Sequence, residues 1–129
     1  MTESAIATAA FPDVAWFRQF AAFLERDEDF RRHGPWLTAR IAFRVDQETV
    51  AVALDRGLVL DVCAGHGEFD FLVKGTREQW AFLFDAGWGL VRLYRTGTLA
   101  IRADPVRLMQ NWKPLFFLAE AMKSFGRQA

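Results

Sequence analysis

The sequence predicts an α+β domain, with a five-stranded, mostly antiparallel sheet covered by helices. Three observations carry this expectation. Five short segments alternate apolar and polar residues, the links between the first four are only a few residues long, and helical segments stand before, between and after them.

Taken in order, Phe11 to Arg32 reads as one helix, with Pro12 suited to its first turn and Asp13 complementing the helix dipole. Phe17, Phe20, Ala21 and Leu24 follow the i, i+3, i+4, i+7 rule, and Trp16, Phe23 and Phe30 widen that stripe. Arg18, Glu25, Arg26 and Glu28 fill the opposite side, and His33-Gly34-Pro35 stops the helix. Ile41, Phe43 and Val45 then alternate as a first strand, and Val50, Val52 and Leu54 as a second. Leu58 to Cys63 form a third strand, and Phe69, Phe71 and Val73 a fourth. Links as short as Asp46-Gln47-Glu48, Asp55-Arg56-Gly57 and Gly65-His66-Gly67 imply antiparallel neighbours.

Thr76 followed three residues later by Gln79 is a capping box, and it opens a helix that Gly87 ends. Trp88 to Arg95 add a short helical turn closed by Gly97, and Leu99 and Ile101 mark the fifth strand. Asp104-Pro105 caps a terminal helix that runs to about Phe125, with a kink or split expected near Lys113 because Pro114 lies inside it.

Length and composition bound the function. A chain of 129 residues builds one core, so residues 11–129 are read as a single domain and MTESAIATAA as a flexible tail. Thirteen Phe and five Trp are more apolar ring than such a domain usually carries. A net charge of zero argues against a nucleic-acid binder, although residues 1–70 carry −5 and residues 71–129 carry +5. The basic half favours an anionic head group or a transient membrane surface. One cysteine, Cys63, fits a reducing cytoplasm, and no apolar run is long enough to span a bilayer.

Few residues offer chemistry. Cys63-x-x-His66 has metal-like spacing, but the other histidine, His33, is far along the chain, so no metal site is expected. The serines, Ser4 and Ser124, stand near the two ends, which leaves no Ser-His-Asp arrangement and no catalytic set. Asp61, His66 and Asp70 cluster around one turn and read as solvated polar groups, with an acid-base role as the alternative.

Asp70-x-x-Val73-x-Gly75, a following helix with Trp80, Gly97-x-Leu99-x-Ile101-x-x-Asp104 and Leu115-Phe116 together resemble the sterol carrier protein 2 (sterol-transfer) family over about residues 15–125. The resemblance implies an apolar cavity between sheet and helices that holds a sterol-like molecule, a fatty acid or an acyl-CoA, without catalysis or cofactor. Ala103-Asp104 stands where the family often has Gly-Asp or Gly-Asn. On this reading Phe82, Trp88, Ile101, Met109, Trp112, Phe116 and Met122 line the ligand, and Arg92 or Arg95 meets its head group. Two alternatives stand beside it. One is an interaction module whose aromatics fill the core and whose exposed patch makes a homodimer or holds a partner enzyme. The other is a small enzyme that acts on an apolar substrate.

Overall fold

The computed structural model describes residues 11–65 and 67–127. The predicted tail and His66 lie outside the described residues.

Strands β1 (Ala39–Val45), β2 (Glu48–Asp55), β3 (Leu58–Ala64), β4 (Phe71–Gly75) and β5 (Ala100–Arg102) form one sheet in the order β3-β2-β1-β4-β5. Three of its four pairings are antiparallel. The β2–β3 hairpin turns at Arg56 and Gly57, whose φ angles of 51° and 81° match the right-handed twist of the flanking strands. The alternation read from the sequence holds in β1, β2 and β4, where Ile41, Phe43, Val50, Val52, Phe71 and Val73 are buried, whereas in β3 Val62 is buried and Leu58 and Leu60 are exposed. Arg40, Arg44, Asp61, Lys74 and Arg102 occupy the alternate positions of the same strands.

One strand expectation fails. β4 does not pair with β3; it lies parallel to β1, with Ile41 opposite Phe71. The link from residue 65 to residue 70 reaches about 20 Å, enough to clear three strand spacings of about 4.8 Å each. Asp70 then fixes the register, because its amide donates to the Arg40 carbonyl and its carboxylate accepts from the Arg40 amide, both at 2.8 Å. Phe69 falls outside the strand and is exposed.

The predicted first helix is two helices, α1 (Val14–Leu24) and α2 (Glu28–His33), followed by a 3-10 turn at Gly34–Trp36. Asp27 divides them, because its carboxylate accepts from the Phe30 amide and starts a new helix. α3 (Arg77–Phe84) opens with the full capping box: Thr76 Oγ1 accepts from the Gln79 amide at 3.1 Å and Gln79 Oε1 from the Thr76 amide at 2.8 Å. α4 (Leu90–Arg95) precedes β5, and Asp104 caps α5 (Pro105–Gln110) through the Arg107 amide. The last helix, α6 (Trp112–Arg127), is separated from α5 at Asn111, two residues earlier than expected. Proline lacks the N–H that would bond four residues back and its ring collides with that carbonyl, so Pro114 ends α5 at Gln110 and sits in the first turn of α6.

The ring excess is spent mainly where α1, α3 and α6 meet. Phe11 lies 4.8 Å from Trp16, 4.9 Å from Phe84 and 5.1 Å from Trp80, and Trp16 reaches Phe125 at 5.1 Å. These edge-on contacts join α1, α3 and α6 on one side of the core.

Candidate ligand-binding site

Between the sheet and α3, α4 and α6 lies an internal cavity. Its floor is Ile41, Phe43, Phe71 and Val73 from the two central strands, its roof Leu115, Leu118 and Met122 of α6, and Leu83, Leu90 and Ile101 close its sides. Every lining side chain is apolar except for the indole N–H of Trp80, which donates to the Arg44 carbonyl at 2.9 Å. The free space is about 30 Å³, room for a water-sized sphere or two, whereas ligand pockets span roughly 300–1,000 Å³. A lipid-sized molecule exceeds this space unless the lining side chains or the helices above them shift.

Outside this cavity, α4, β5, α5 and the start of α6 enclose a surface groove of about 610 Å³, lined by Tyr94, Arg95, Ala103, Leu108, Met109 and Trp112 among others. Ile101 borders both spaces and forms a wall between them. Met109 is 79% exposed, and Val91, Tyr94 and Val106 are exposed beside it. Residues 86–113 carry five bases, Arg92, Arg95, Arg102, Arg107 and Lys113, against one acid, Asp104, which is engaged as the α5 cap. The groove is thus largely apolar with one cation, Arg95, in its lining, while Arg107 is paired with Asp70 and Arg92 lies over Trp88.

The residues proposed from sequence fall in the cavity, in the groove and at positions outside both. Ile101 and Met122 line the cavity. Met109, Trp112 and Arg95 line the groove, with Ile101 shared. Phe82 and Trp88 face each other at 4.6 Å, with the Arg92 guanidinium 3.7 Å over the Trp88 ring, and Phe116 meets Phe117 edge-on at 5.3 Å. Sequence reasoning passed over the floor residues Ile41, Phe43, Phe71 and Val73, although their alternation marked the inward face of the central strands.

Asp70, considered as an acid-base residue, is held as a structural ion. Burial pushes its carboxyl up, but the Arg40 amide and the Arg107 guanidinium outweigh that and hold it below the ordinary 3.8. Asp61 is exposed on β3. No group of three or more His, Cys, Asp or Glu suited to a metal occurs among the described residues.

No protein-family model and no curated protein matches the sequence. Solved structures match by shape. A crystal structure of sterol carrier protein 2 superposes with a TM-score of 0.74 over 84% of this chain and 94% of its own, at 16% identity. The chain has the sterol carrier protein 2 fold. A conserved hypothetical protein from Thermus thermophilus, described as a candidate sterol carrier protein, matches with a TM-score of 0.67 at 18% identity, over 88% of this chain and 85% of its own. The ubiquinone synthesis protein UbiJ-SCP2 matches with 0.58 at 20% identity, over 97% of both chains. Within the sterol carrier protein 2 fold, the residues that suggested the resemblance have structural tasks here. Asp70 sets the β1–β4 register, Trp80 ties α3 to the Arg44 carbonyl, Asp104 caps α5, and a Cβ on Gly75 would lie 2.6 Å from Leu99.

Proposed function

We propose that this chain binds an apolar ligand, a fatty acid, acyl-CoA or sterol-like molecule, and carries it without reaction. The observation that supports this best is the apolar lining of the cavity together with its single shared wall, Ile101, against a groove that holds Arg95. The acyl chain or sterol skeleton enters past Ile101 and spreads the roof of α6 from the sheet, while the head group stays in the groove near Arg95. Each methylene moved from water contributes about 0.8 kcal/mol, so a long chain repays the displacement of core side chains without polar contacts inside. The lining carries no nucleophile and no titratable group, which supports binding over catalysis.

The groove also favours delivery at an anionic bilayer. Exposed Val106 and Met109 suit the acyl boundary, and Arg95 and Lys113 suit acidic head groups. Native mass spectrometry of the purified chain tests the central reading, with a fluorescent fatty acid titrated in vesicle-free buffer. Co-purified lipid or saturable micromolar binding is expected; neither a bound lipid nor binding of the probe would overturn the carrier function.

A further inference from the structure

We propose that the face built by the Gly34–Trp36 turn and the β2–β3 hairpin docks a second copy of this chain about a two-fold axis, each Trp36 entering the other copy's groove. Trp36 is 81% exposed, and Leu58 and Leu60 on the adjoining edge strand are 59% and 67% exposed. Beside them lies a groove of about 600 Å³, lined on its apolar side by Leu24, Phe30, Pro35, Leu58 and Val59 and on its polar side by Glu25, Arg31 and Arg56. Pro35 belongs to the groove and Trp36 follows it, so projection and recess stand next to each other. Their relation is rigid. The Leu37 carbonyl accepts from the Gly57 amide at 2.9 Å, Thr38 Oγ1 accepts from the Arg56 amide at 3.0 Å, and a Cβ on Gly57 would lie 2.7 Å from the Gly34 backbone.

A two-fold interface requires a surface that complements itself. This face has a projection with a recess, and an acid, Glu25, with two bases, Arg31 and Arg56, so each copy offers its partner both signs of charge. The groove beside Ile101 lacks that pairing, because Arg95 is the one charged residue in its lining and no acid lines it. The face carries charges of both signs and no run of bases, so an anionic bilayer gains little from it. β3 is an edge of the sheet with one charge, Asp61, in its seven residues, and edges so lightly charged associate. Trp36, Leu58 and Leu60 from both copies remove on the order of 1,000 Å² of surface, at the lower bound for a specific interface, so a weak, concentration-dependent dimer is expected. Since β3 and β5 are opposite edges, both groove mouths at Ile101 stay free.

The test is sedimentation equilibrium of the full chain from about 1 to 200 μM, a span chosen to bracket a weak dimer. The expected result is a concentration-dependent dimer in the wild type and in Met109→Glu, at least tenfold weakened in Trp36→Glu and in Leu58→Glu, with circular dichroism showing all four folded. A charge reversal at Glu25, Glu25→Arg, should also weaken it. A wild-type monomer throughout, or a dimer that survives Trp36→Glu and Leu58→Glu, would overturn the proposal. Trp36-dependent binding of a monomer to anionic vesicles would do the same and give the face to lipid.

Discussion

Asp70 accepts the Arg40 amide on one carboxylate oxygen and the Arg107 guanidinium on the other, so one side chain joins the β1–β4 pairing to α5. The carboxyl is depressed in the folded chain relative to 3.8. Its contribution to stability is therefore present above pH 3.8 and is lost as the pH falls through the lower folded value. Arg107 is partly exposed, so screening keeps the ion pair weak and the amide bond carries more. Asp70→Asn is expected to lower stability by about 1 kcal/mol at neutral pH, with the gap closing below 3.8. Urea unfolding at several pH values checks this; a gap that stays constant down to strong acid would contradict it.

Gly126 is where α6 approaches α3. A Cβ there would lie 2.4 Å from Phe84 Cδ1, inside a ring already held by Phe11 and Trp80. Gly126→Ala gains about 1 kcal/mol of helix propensity, but overpacking a filled core costs about 1–3 kcal/mol. A lower urea midpoint with an unchanged slope is expected; a higher midpoint would show that the ring yields freely.

These two positions also mark what the sequence conveys and what it hides. Alternation in β1, β2 and β4 identified the inward face, and the capping box at Thr76–Gln79 and the Asp104-Pro105 signal placed two helix starts, because local chemistry decides them. The break at Asp27 was hidden by Phe23 and Phe30, which continue an apolar stripe across it. The parallel placement of β4 was hidden because a short link limits how far a strand can travel and not which neighbour it joins. Among the candidate ligand contacts, an aromatic run gave no means to tell Phe82, which is exposed, from Phe84, which is buried two residues on. Cavity volume is a property of the whole packing, and no spacing in the chain encodes it.

Ile101 separates groove from cavity, so its size should govern how fast a ligand enters. Ile101→Ala is expected to speed fatty-acid uptake in stopped-flow fluorescence and Ile101→Trp to slow it, each by several-fold, at a stability cost for the alanine at this half-buried site of about 2 kcal/mol. Equal uptake rates in all three proteins would remove Ile101 from the path.

Basic residues at a membrane surface contribute about 1 kcal/mol each. Arg95→Ala should therefore weaken co-sedimentation with phosphatidylglycerol vesicles about fivefold and Met109→Glu more, with binding declining as salt rises. Equal binding to neutral phosphatidylcholine vesicles, or no change in either variant, would count against delivery through the groove.

The central claim is that a ligand reaches the cavity. The chain has three methionines, of which Met122 lines the cavity and Met109 the groove. Methyl spectra of protein labelled with ¹³C-methyl methionine, recorded while palmitate is added without vesicles, read both places at once. The account predicts a saturable shift at Met122 accompanied by a change at Met109; a response at Met109 alone, or at neither, would contradict it.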